Sequence, residues 1–169
     1  MSFVTIGGVT VGICILIYAL VGWFPGVKQL RKQPLPHLAR LLPFLVAWAY
    51  GVLAILTAGG VVGWVAGGTL WISNWLGDVA LVWGVGGTAG QSAGAQTFVP
   101  LTQTGAAVVL ILTVALLAAL KKSKYASDLK MGAWCGVCLG TSAGVAGFAA
   151  VPLAMAVNAV GQYTYGVFA

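Results

Sequence analysis

Residues 131–160 read MGAWCGVCLGTSAGVAGFAAVPLAMAVNAV, and none of these side chains carries a charge, nor does any that follows up to Ala169. The rest of the chain has the same habit. Of its 169 residues, 60% are hydrophobic and only 6% charged, against about 25% charged in ordinary globular domains. The mean hydropathy is +1.02. A water-soluble domain could not cover its surface with so few charges. Disorder is excluded on opposite grounds, because it needs low hydrophobicity and high charge. The solvent this composition suits is lipid.

A helix crossing a hydrocarbon core of about 30 Å needs about 20 apolar residues at 1.5 Å each. Working outward from the quoted stretch, four runs qualify: residues 4–24, 41–64, 98–120 and 131–160. Pro25-Gly26 breaks the first. Pro43 and Pro100 fall in the first turns of the second and third, where a missing N–H costs little. Pro152, inside the fourth, should kink it. The expected fold is an all-α integral membrane protein with four transmembrane helices, forming one polytopic domain over 1–169.

The cations confirm this order of crossing. All eight lie in two windows, Lys28, Arg31, Lys32 and Arg40, then Lys121, Lys122, Lys124 and Lys130. The two loops that hold them, 25–40 and 121–130, follow spans one and three and so share a side. By the positive-inside rule that side is the cytoplasm, which leaves both termini extracytoplasmic. No basic n-region precedes the first run, so no cleavable signal is expected. The excess of Gly, Ala and Val over Ile and Lys fits a bacterial genome, and the expected location is a bacterial cytoplasmic membrane.

Residues 66–97 then form an outer segment between helices 2 and 3. Within it, 69–84 reads TLWISNWLGDVALVWG. A fifth crossing here would bury Asp78 at about 2.5–3.5 kcal/mol. Trp71, Trp75 and Val79 share one helical face, while Ser73, Asn74, Gly77 and Ala80 lie opposite. With Trp83, this predicts a helix anchored in the outer interface by its indoles, a re-entrant hairpin being the competing geometry. The stretch VGGTAGQSAGAQTFVPLTQTG, residues 85–105, lacks the strand, helix and Lys of a phosphate cradle. It reads as a flexible loop; Gln91, Gln96, Thr102 and Gln103 would alternatively suit the lining of a neutral passage.

Glycine is the most patterned residue. Gly132, Gly136, Gly140 and Gly144 recur every four residues, as do Gly59, Gly63 and Gly67, and Gly8 and Gly12. In lipid, helices associate by close backbone approach and polar contacts, which such stripes permit. Part of this surface serves packing within one bundle. The remainder predicts oligomerisation, as a homo-oligomer or as a subunit of a larger membrane complex. Asn158 and Gln162, one turn apart, should face protein or a water-filled cavity, reading as interhelical hydrogen-bonding groups or as residues near the outer interface beside Tyr163 and Tyr165.

Chemistry is sparse. Cys135 and Cys138 make a C-x-x-C without the four ligands zinc normally takes, and with Cys14 they read as small packing residues. His37 has no acid or nucleophile partner, and Asp78 and Asp128 do not form a catalytic pair. No catalytic residue, cofactor site or metal site is expected, and the chain reads as non-enzymatic. The partners expected are the bilayer and, for the eight cations, anionic lipid headgroups at the cytoplasmic face. The same cations could hold nucleic-acid phosphates, which nothing else in the chain indicates.

Four spans, basic cytoplasmic loops and glycine-lined helices together resemble small membrane proteins of bacterial mobile elements, such as plasmid spread or transfer proteins and phage holins. The resemblance is one of layout and assigns no residue a role. The function expected is a self-assembling membrane protein forming a pore or passage; the alternative is a structural or accessory subunit that transports nothing.

Overall fold

The computed structural model describes residues 4–24, 39–57, 59–94, 101–142 and 145–168. It is all helical: α1 (Ile6–Trp23), α2 (Leu42–Ile55), α3 (Gly60–Val85), α4 (Gln103–Lys122), α5 (Ala126–Gly140) and α6 (Val145–Phe168). Among the described residues there is no strand, only an isolated bridge between Thr5 and Ser92. Threonine starts two of the helices. The Thr5 hydroxyl accepts from Gly8 N–H at 3.2 Å and the Thr102 hydroxyl from Gly105 N–H at 3.1 Å, each cap worth about 1 kcal/mol. Pro43 occupies the first turn of α2, where its fixed φ suits a helix start.

By length and composition, α1 and α4 are each able to cross a membrane. The bent pair α2–α3 makes a third crossing if it is counted as one span. The expected boundaries change in five places. The second run does not continue to Trp64. After Ile55 the Thr57 hydroxyl donates to the Ala54 carbonyl at 2.6 Å, and Gly60 takes a φ of 75° that favours glycine. Helix α3 then leaves at 104° to α2. Gly59 is therefore part of the break rather than of a packing stripe, while Gly63 and Gly67 belong to α3.

Helix α3 is also longer than the interfacial helix expected at 69–84, and it ends on Gly86 in the left-handed region. The third run starts at Gln103 rather than near residue 98, because Thr102 caps it there. The fourth run is two helices. Its break falls after Gly140, where the Ser142 hydroxyl and N–H both donate to the Leu139 carbonyl at 2.7 and 3.1 Å, and α6 continues past Pro152. The expected basic loop 121–130 shrinks to Ser123–Tyr125, its flanks being absorbed into α4 and α5.

Helix α5 is the centre, touching all five other helices. It runs parallel to α2, with Gly132 against Phe44, Gly136 against Trp48 and Gly140 against Val52. Against α1 it runs antiparallel, so that Cys135 and Leu139 pack among Val9, Ile15 and Ala19.

Three crossings bring glycine onto glycine: Gly7 on Gly77 (α1–α3), Gly51 on Gly136 (α2–α5) and Gly105 on Gly161 (α4–α6). At each, a Cβ would strike the facing backbone or a side chain lodged against it. Replacing Gly136 with Leu is expected to destabilise the fold by about 1–3 kcal/mol or more. Gly68→Leu on α3, where a Cβ meets nothing within 4 Å, should be neutral or stabilising, since Leu is the better helix former. Thermal unfolding of the detergent-solubilised variants checks both.

Candidate functional site

The glycine stripe of α5 faces inward. A Cβ at Gly132 would meet the Phe44 carbonyl, one at Gly136 the Trp48 carbonyl, and one at Gly140 the Ile55 side chain and Val52 Cα at 3.1 Å. The surface expected to join copies is thus occupied by α2 of the same chain. The sequence stripe records how closely two parallel helices approach, and it does so whichever chain supplies the second helix. Gly144 lies outside the described residues.

The thiols pack in the same interior. Cys135 and Cys138 are fully buried while Cys14 is exposed, and the Cys135 thiol donates to the Gly12 carbonyl at 3.3 Å. Beside them the Trp134 indole donates to the Ser73 hydroxyl at 2.8 Å, and Ser73 donates onward to the Thr69 carbonyl at 2.7 Å. Ser73 went unnoticed as a packing residue because its neighbours read as an interfacial helix. The available signal was its place on the small-residue face with Ala66, Leu70 and Gly77, all buried. That face meets protein rather than water. The opposite face, with Trp71 at 68% and Trp75 at 62% exposure, points outward, as does Trp83.

At the other end of α1 the chain ties its own loop down. Ile6 N–H donates to the Gln91 carbonyl at 2.8 Å and Ala93 N–H to the Val4 carbonyl at 3.0 Å. Asn74 accepts from Thr5 N–H at 3.1 Å. Asp78 accepts from Gly90 N–H at 3.1 Å through Oδ2, while its buried Oδ1 lies against Gly7 without a hydrogen-bond partner. The one acid outside the basic windows is therefore a loop clamp. Asn158 plays the interhelical part expected of it, accepting from the Thr102 N–H and hydroxyl at 3.0 and 3.1 Å. Gln91, Thr102, Gln103 and Gln162 are exposed, and Gln96 lies outside the described residues.

The basic end is the most site-like region. Helices α1 and α4 end where α2 and α5 begin, which gathers Arg40, Lys121, Lys124 and Lys130, all exposed, at one end of the bundle. Lys28, Arg31, Lys32 and His37 lie outside the described residues, as does the Lys122 side chain. Between α1, α2 and α5 this end opens a cavity of about 350 Å³ whose lining includes Tyr18, Trp23, Arg40, Phe44, Ser127 and Asp128. A second, apolar hollow of about 380 Å³ separates α4 from α2, lined by Tyr50, Leu53 and Leu116 among others. Tyr50 and Thr113 share a hydrogen bond of 2.9 Å across the same pair of helices. Among the described residues no three His, Cys, Asp or Glu side chains cluster as metal ligands would.

No family model, curated protein or solved structure matches the chain.

The Trp134–Ser73 bond gives a direct test of the interior. Ser73→Ala removes the acceptor of the indole N–H of Trp134, a residue 41% exposed, and should cost about 1 kcal/mol. Trp134→Phe removes the donor as well, so combining it with Ser73→Ala should cost less than the sum of the two single changes. Unfolding of the three variants in mild detergent measures the coupling.

Proposed function

We propose that the chain is a non-enzymatic integral membrane protein that serves as a structural subunit in a bacterial cytoplasmic membrane, carrying nothing through itself. The observation that carries this reading is the destination of the glycines. Glycine faces from all six helices meet one another within a single chain, and much of what remains outside is large and apolar. Trp64, Ile17, Ile111 and Leu117 are all more than half exposed, as lipid-facing or partner-facing side chains would be. The residues with chemical potential have structural employment: Cys135 binds the Gly12 carbonyl, Ser73 the Trp134 indole, and Asp78 the 86–94 loop.

A second reading, copies gathered around a neutral passage, has the exposed Gln91, Gln103 and Gln162 in its favour. In that arrangement the contact between copies would use an apolar outer face, such as the Trp64–Trp71–Trp75 row of α3, and not the stripe of α5.

The two readings differ in permeability. Reconstituted alone into dye-loaded vesicles, the chain is expected to leave them sealed. Native mass measurement of the same preparation should give one 17.2 kDa copy. Dye release together with a multiple of that mass would replace the first reading with the second.

A further inference from the structure

The cavity at the basic end has a composition that the cations alone do not explain. Its lining brings Phe44, which is 4% exposed, together with Tyr18 and Trp23 from the last turns of α1. It also brings in two opposite charges, Arg40 at the start of α2 and Asp128 in the first turn of α5, with the Ser127 hydroxyl beside the latter. No ion pair among the described residues joins Arg40 to Asp128. Had the two served only to neutralise each other, they would be in contact. Instead they share a cavity whose volume of about 350 Å³ lies in the range of small-molecule sites.

A guanidinium presents a planar fork of donors that matches a phosphate, and a carboxylate accepts from an ammonium in a charge-assisted bond. A ligand carrying only negative charge would be repelled by Asp128, and one carrying only positive charge by Arg40. The complementary ligand has a phosphate and an ammonium on one short linker, with an apolar continuation to meet the exposed Tyr18 ring. Aromatic side chains at such a level prefer the boundary between headgroups and hydrocarbon. Tyr18, 68% exposed, is placed to face it.

We infer that this cavity binds the headgroup of an amine-bearing zwitterionic phospholipid, with Arg40 on the phosphate and Asp128 on the ammonium. This goes beyond the sequence-level expectation, in which the cations would favour anionic lipid. It rests on reading the chain as a membrane protein.

The experiment titrates the full-length chain in mild detergent with phosphatidylethanolamine or phosphatidylglycerol and counts bound lipid by native mass spectrometry. The unaltered chain should retain phosphatidylethanolamine about tenfold more tightly, the difference one good polar contact makes. Asp128→Asn should abolish that preference. Arg40→Gln should weaken both lipids by about tenfold, with Arg40→Lys restoring part of the loss. Lys124→Gln, at the same end but outside the cavity, should change neither. Circular dichroism of each variant verifies that it is folded.

Equal retention of the two lipids by the unaltered chain, or a preference that survives Asp128→Asn, would overturn the assignment. Displacement of the lipid by an equal concentration of soluble phosphoethanolamine would overturn it too, in favour of a water-borne ligand of the same chemistry. Flotation with vesicles separates the underlying reading: a chain that stays behind refutes membrane insertion, and the lipid site with it. One that floats without selectivity refutes the lipid site alone.

Discussion

Two backbones can approach until their own atoms touch only where neither carries a Cβ, and the fold depends on this at three places. Gly7 on Gly77, Gly51 on Gly136 and Gly105 on Gly161 pair the six helices two by two. Dispersion falls away steeply with distance, and lipid offers no hydrophobic drive toward association, so contact at this range is what apolar helices have to gain from one another. The central position of α5 follows. It has small residues on several sides, with Gly132, Gly136 and Gly140 toward α2 and Cys135 and Cys138 toward α1 and α3. A 15-residue helix can therefore have neighbours all round.

Close packing makes the polar groups caught inside it expensive unless they are matched, since an unpaired donor costs the full desolvation of that group. Apart from Asp78 Oδ1 and the Thr141 hydroxyl, which have no hydrogen-bond partner among the described residues, the interior answers with short pairings. Trp134 meets Ser73, Tyr50 meets Thr113, and the thiol of Cys135 meets a carbonyl of α1. Elsewhere hydroxyls turn back onto their own helices, as Thr10, Thr69 and Thr164 do onto the carbonyls four residues earlier. Such pairings hold helices in register and leave little chemistry free in the middle of the bundle.

What freedom the structure has lies at its ends. At one, the 86–94 loop is tied to the start of α1 by backbone bonds and by Asp78. At the other, helix starts and helix ends converge around a cavity that holds a cation and an anion apart. The two ends differ in kind: the first closes on itself and the second holds an open cavity.

Much of this is legible in the amino-acid sequence. Composition points to lipid as the solvent, because ten charged side chains cannot cover a domain, and α1 and α4 are long and apolar enough to cross a membrane. Helical periodicity on 69–84 sets Trp71 and Trp75 on one face and Ser73 and Gly77 on the other, though not that the second face packs against protein, and Pro43 and Asn158 take the places their chemistry suggests. The breaks did not show, because an uninterrupted apolar run reads the same whether or not a hydroxyl at Thr57 or Ser142 captures a carbonyl and ends a helix. Nor did the partner of the α5 stripe. Glycine spacing states that something approaches closely, and that property belongs to one helix. Which helix arrives is settled by the summed contacts of the whole chain, and so is the placing of Arg40 and Asp128 on one cavity, since they lie far apart in sequence and share it only because α2 and α5 run parallel.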